Sequence, residues 1–133
     1  MNKSDLINAL FSSLGAFLCI GLLAYLNSFF KDALWLIPPF GASMVLVMAA
    51  HTSPFAQPKN IFFGHLLTSI VGVIFVNFIP LPIYIMIPIA VGIGVSLMIL
   101  TSVTHPPAGG NPIIVIIGSA SFDYIISPII IGS

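Results

Sequence analysis

Long apolar runs separated by short polar or proline-bearing breaks dominate the chain, and they cut it into six segments: 6–30, 33–50, 61–79, 83–103, 106–120 and 124 to the end. The breaks are Lys31-Asp32, the polar stretch 51–60, the tight Pro80-Leu81-Pro82 turn and Ser121 to Asp123. Four of the segments are nearly unbroken. None alternates polar and apolar positions as a barrel strand would, and in lipid every backbone polar group must be bonded internally. The pattern therefore predicts an all-α bundle of membrane-embedded helices. Tyr25, Trp35, Tyr84 and Tyr124 fall near segment ends, where amphipathic rings favour the membrane interface.

Charge strengthens this reading. Three Lys, three Asp and neither Arg nor Glu leave 5% of the 133 residues charged, against about 25% in soluble domains. The mean hydropathy is +1.20. No charged side chain lies between Lys59 and Asp123, an interval long enough for about three spans of roughly 20 residues. A formal net charge of zero with scattered lysines offers no basic surface for nucleic acid. The expected partners are the lipid bilayer, a small solute and, through glycine-bearing helix faces, further copies of the chain. Cys19 stands alone in an apolar run, which excludes an internal disulfide and predicts a buried filler. Segment 6–30 follows Lys3 but is too long for a signal-peptide core of about 7–15 residues, so it reads as a retained first helix. The ten residues from Tyr124 onward fill about half a bilayer and read as a final helix cut short.

Segments two and five share an element that the others lack. Pro38-Pro39-Phe40-Gly41-Ala42-Ser43 and Pro106-Pro107-Ala108-Gly109-Gly110-Asn111 align at an offset of 68 residues, and the match extends to Val47 and Val115. This suggests one domain with repeat one about 6–79 and repeat two about 83–133. If each proline-bearing segment crosses the membrane, every repeat has three crossings and the two are inverted; if it is re-entrant, they are parallel. The inverted form is the expectation, with Lys3 and Lys59 on one side, Lys31 on the other and the N-terminus cytoplasmic.

Paired prolines interrupt a helix and allow a new one to start. Its first turn presents backbone N–H groups and the positive end of the helix dipole, a setting that attracts anions without a formal cation. Many transporters place such half-helix ends at the interface between two repeats. The candidate substrate-binding residues are accordingly Pro39, Gly41, Ala42, Ser43, His105, Pro106, Pro107, Gly109, Gly110 and Asn111.

His105 either serves the anion or a proton, or is a neutral imidazole bonded to a freed backbone carbonyl. Ser43 and Asn111 hold equivalent positions and either cap a half-helix or touch a substrate oxygen. His65 is expected to bond across helices. The spacings among His51, His65 and His105 match no metal-ligand pattern, and neither metal nor cofactor is expected. Lys31 and Lys59 either draw anions to the entrances by their field or, as is commoner at a helix end, snorkel to the interface; Asp123 is expected to be an N-terminal helix charge, and Gly15, Gly21, Gly64, Gly72, Gly92 and Gly94 to allow close helix approach.

Thr104-His105-Pro106-Pro107-Ala108-Gly109-Gly110-Asn111-Pro112 closely resembles the signature of the HPP family of integral membrane proteins. The upstream Pro38 to Ser43 block, Ser53 to Asn60 and Gly64-His65 resemble that family's first half. Characterised relatives in cyanobacteria and chloroplasts are nitrite transporters, so the resemblance implies transport with nitrite as the leading substrate. The residues by themselves point to a passive or proton-coupled path for a small inorganic anion, in a multi-pass protein of the cell membrane, in a bacterium the inner membrane. A non-transporting scaffold or sensor subunit and a cation path stand as rivals. Enzymatic activity is not expected, because no Ser-His-Asp, Cys-His or paired-carboxylate set has a recognisable spacing.

Overall fold

A computed structural model describes residues 2–29 and 36–133. It is helical, with no strand among the described residues: α1 (Lys3–Phe29), α2 (Pro38–Ala49), α3 (Pro58–Phe78), α4 (Ile83–Leu100) and α5 (Asn111–Ile117). Single 3-10 stretches lie at Pro54–Ala56 and Pro106–Gly110, the second running directly into α5, and a wide π-type turn occupies Ile125–Ile130. Helices α1, α3 and α4 are long and apolar enough to cross a membrane. At 12 residues, α2 is about 18 Å long, well short of a hydrocarbon core of roughly 30 Å. The segment Pro106–Ile117 is equally short.

Local chemistry sets the helix ends. Ile37 is extended (φ −122°, ψ 146°), the conformation that a following proline imposes, and α2 starts with Pro38 and Pro39 in its first turn. Among the described residues of segment two, the helix begins at Pro38. Residues 33–35, together with the Lys31-Asp32 break and Trp35, lie outside the described residues. Segments four and five also stop earlier than their apolar runs, at Leu100 and Ile117. In both cases the chain closes a Schellman cap. Val103 N–H donates to Met98 O and Ser102 N–H to Ile99 O, while Ala120 N–H donates to Val115 O and Ser119 N–H to Ile116 O. The left-handed residues are Ser102 (φ 56°) and Ser119 (φ 48°). Beyond Tyr124 the chain is not a regular helix: Ser127 is extended in front of Pro128 and splits the last turn.

Contacts fix the helix directions. Ser12 of α1 donates to the Met48 carbonyl at the end of α2, while Ile20 and Leu23 pack on the cluster that contains Ile37 and Phe40. Helix α2 thus runs antiparallel to α1. It is also antiparallel to α3, since Ser43 meets His65 and the chain folds back through 50–57. Lys3 and Lys59, at the starts of α1 and α3, therefore share one end of the bundle. Helix α5 runs the other way, parallel to α3: Asn111 meets His65, and Val115 lies against Gly72.

Helix α3 is the centre, buried by α4, α5 and the residues around the two proline pairs. Its glycines bring neighbours in closely. A Cβ on Gly64 would stand 2.9 Å from His105 Cβ, and one on Gly72 would stand 2.9 Å from Val115 Cβ and 3.0 Å from Pro112 Cα. Gly15 and Gly94 also abut neighbours, but Gly21 and Gly92 face open space, so packing does not explain those two. Helix α1 buries no residue, and Cys19 is exposed on it instead of filling a core. Tyr124 departs from the interface role expected of it: it is 4% exposed and packs with Phe40, Val73 and Ile129, whereas Tyr25 and Tyr84 are exposed.

Candidate functional site

The two proline pairs converge. A groove of about 360 Å³ is lined by Pro38, Pro39 and Ala42 from the first turns of α2 and by Pro107, Gly110, Ile113 and Ile114 from the start of the second short segment. A Cβ on Gly110 would lie 3.5 Å from Pro39 Cγ, so the two helix beginnings are in near contact. Because α2 and α5 run in opposite directions from this point, their positive dipole ends face one another. The walls are apolar, and donors are scarcer than the sequence suggests. Pro38, Pro39, Pro106, Pro107 and Pro112 have no N–H, and Phe40 N–H is bonded to Ile37 O. The i→i+3 pattern of the 3-10 stretch turns the Gly109 and Gly110 amides back on their own backbone. The expectation of uncovered amides is corrected accordingly: what the ends offer is their summed dipole.

Directly behind the groove lies a polar cluster, built on α3 where His65 and Thr68 face inward on one helical stripe. Ser43, His65, Thr68, His105 and Asn111 are all fully buried or nearly so. His65 stands seven residues into α3, about 10 Å from its end, so the cluster is deep within the span. Its hydrogen positions follow from groups that can only accept. His105 Nδ1 lies 2.7 Å from the Phe55 carbonyl, so it carries the hydrogen, and in a neutral ring Nε2 then accepts. The Ser43 Oγ–H donates to it at 2.7 Å. On the other side, Asn111 Nδ2 faces the His65 carbonyl at 3.1 Å and Thr68 Oγ1 at 3.1 Å, which identifies it as the amide nitrogen. With two hydrogens shared among three acceptors, this nitrogen can only donate, so His65 Nδ1, 2.9 Å away, accepts. His65 Nε2–H must in turn donate to Ser43 Oγ at 3.1 Å. The result is one polarised chain: Asn111 to His65 to Ser43 to His105 to the Phe55 carbonyl.

The candidate residues separate into three groups. Pro39, Ala42, Pro107 and Gly110 line the groove. Ser43, His105 and Asn111 form the cluster behind it. The remaining three join neither: Gly41 faces a separate shallow groove against α1, Pro106 is exposed, and Gly109 has open space beside it. Neither Ser43 nor Asn111 caps a helix. The residue before α2 is Ile37, α5 has no side-chain cap, and both polar groups are consumed by His65, one on each ring nitrogen. His105 does bond a backbone carbonyl, but that of Phe55, not one that the prolines free. His65 bonds across to α2 and α5 as expected. Thr68 and the Phe55 carbonyl were not anticipated. The stripe of His65, Thr68 and Ser69 between Gly64 and Gly72, at helical spacing in an otherwise apolar helix, is the signal that would have found Thr68.

Three membrane-length helices around a buried polar cluster, with two short helices meeting inside the bundle, define a multi-pass helical membrane protein. A family model for the HPP transmembrane region matches residues 1–133. The chain belongs to the HPP family of membrane proteins. It is 32% identical over 130 residues to one transmembrane protein of Dictyostelium discoideum and 30% identical over 129 residues to another. Each match takes in 92% of this chain but only 42% and 45% of the relatives, so the chain spans less than half their length. No solved structure matches.

Proposed function

We propose that this chain forms the membrane path of a transporter for a small inorganic anion, with nitrite as the substrate to test first. The observation that carries the reading is the meeting of the two proline-started helix ends at the groove between Pro39 and Gly110. Their dipoles oppose head to head, so a positive potential builds up between two short helices that themselves carry no lysine or arginine. Low dielectric surroundings strengthen that potential relative to water. The family's HPP signature supports the same direction, and nitrite is the substrate that this resemblance suggests.

The groove supplies the experiment. In proteoliposomes, Gly110→Leu places a branched side chain against Pro39. The added bulk at the near-contact of Gly110 with Pro39 should lower nitrite flux roughly tenfold or more, the effect of about 1.4 kcal/mol on the barrier to passage. Flux equal to that of the unsubstituted protein would remove this groove from the path. One observation favours a second reading, a cation path: Asn111 Oδ1 is buried without a hydrogen-bond partner, an acceptor suited to a donor or a cation.

A further inference from the structure

The cluster contains more hydrogen-bond partners than one proton arrangement uses. In the neutral chain the Ser43 hydroxyl hydrogen is spent on His105 Nε2, yet Ser43 Oγ also lies 3.0 Å from the Pro39 carbonyl, one turn back in α2. A hydroxyl has one hydrogen and two acceptor lone pairs. If the hydrogen rotates to Pro39 O, the oxygen is free to accept from two donors, and both imidazole Nε2 atoms stand at it, at 3.1 Å and 2.7 Å.

From this geometry we infer that Ser43, His65 and His105 form a binding site for a single proton, held on His105 Nε2, whose two states differ by rotation of the Ser43 hydroxyl. In the loaded state His105 Nδ1–H donates to Phe55 O, and His105 Nε2–H and His65 Nε2–H both donate to Ser43 Oγ. The Ser43 O–H donates to Pro39 O, so every hydrogen has an acceptor. The alternative location, His65 Nδ1, is unsuitable because an added hydrogen there would meet the Asn111 amide nitrogen, itself a donor. A second proton has no acceptor left.

A cavity adjoins the site. Ser43 lines a cavity of about 290 Å³ together with Met44, Val47, Ala56, Pro58 and Ile61, near the polar connection 50–57. A hydronium there transfers a proton to Ser43 Oγ as the Ser43 O–H bond breaks and a new N–H bond forms on His105. The incoming hydrogen remains as the new hydroxyl hydrogen and turns to Pro39 O. No electrons are exchanged. Among the described residues the groups that face His105 are His65 from α3, ring centroids 5.0 Å apart, Ser43 from α2 and the Phe55 carbonyl. Helix α4 contributes no charged side chain, and the two imidazoles are the only titratable groups in the bonded chain.

The consequence for transport rests on the anion reading above. Pro39 lines the groove and Ser43 lies one turn below it, so a loaded proton adds positive charge behind the site and makes the anion and the proton enter together. The proton site itself is tested without substrate, so its failure is distinguishable from failure of that reading.

The measurement is 15N NMR of histidine-labelled chain in lipid nanodiscs, on a His51→Gln background that removes the third imidazole. At alkaline pH, His65 should carry its hydrogen on Nε2 and His105 on Nδ1. On acidification His105 should gain a second N–H while His65 keeps one, and the His65 Nε2 signal should move with it through the shared oxygen. Ser43→Thr should preserve this linked response and Ser43→Ala should abolish it. Should Ser43→Ala not fold, the spectra of the other two decide. The inference is overturned if His65 takes up the first proton, if both rings stay neutral throughout the folded range, or if the linked response persists in Ser43→Ala.

Discussion

Ser43 shows how much one small side chain can do in this interior. Its oxygen is within bonding distance of three partners on three parts of the chain, and no apolar replacement satisfies any of them. Asn111 has a comparable position on the other face of His65, where replacement by Leu strands His65 Nδ1, while Thr68 Oγ1 keeps its bond to Gly64 O. A buried group left unpaired costs about 1–3 kcal/mol. Asn111→Leu should therefore lower stability by that amount in detergent unfolding. Glycines give a sharper contrast. Gly72→Ala forces a methyl to 2.9 Å from Val115 Cβ and 3.0 Å from the Pro112 backbone, whereas Gly92→Ala meets nothing. The first should cost about 1–3 kcal/mol by overpacking, while the second is neutral or slightly stabilising. Equal effects would show that α3 and α5 are farther apart than described.

At the level of elements, helix starts were legible in the sequence and helix stops were not. Proline acts on its own peptide unit and the residue before it, so Pro38 and Pro106 announce new helical starts without knowledge of the rest of the fold. The stops at Leu100 and Ile117 depend on serines in the left-handed region, which sequence rules assign to glycine. This yields a test: Ser102→Gly removes the Cβ from a φ of 56° and should add up to about 1 kcal/mol, read as a higher unfolding midpoint. The polar cluster was half legible. Ser43, His65, His105 and Asn111 were singled out and Thr68 was not, but the meeting of Ser43 with His65, 22 residues on, and of His65 with Asn111, 46 residues on, is set by how α2 and α5 pack on α3. For the same reason local rules offered Ser43 and Asn111 a capping role that neither takes, and placed Tyr124 at the interface.

On the scale of the molecule, α1 and α3 point the same way, α2 opposes them, and α5 opposes α2. That arrangement is compatible with two inverted halves whose proline-started helices meet inside the span. Since α3 alone crosses between the connection 50–57 and the turn after Ile79, those two loops must face opposite sides. Thr52→Cys and Leu81→Cys, placed in a Cys19→Ala chain, should be labelled by a membrane-impermeant maleimide from opposite faces of sealed vesicles. Labelling of both from one face would contradict the span assigned to α3. The central claim, that opposed positive helix ends create an anion path, is tested most directly by ion selectivity. With purified chain in liposomes, fluxes of nitrite, formate, chloride and potassium should be compared against empty vesicles. The account predicts flux of nitrite or another of these small anions and none of potassium. Potassium flux without anion flux, or no flux of any ion, would contradict it.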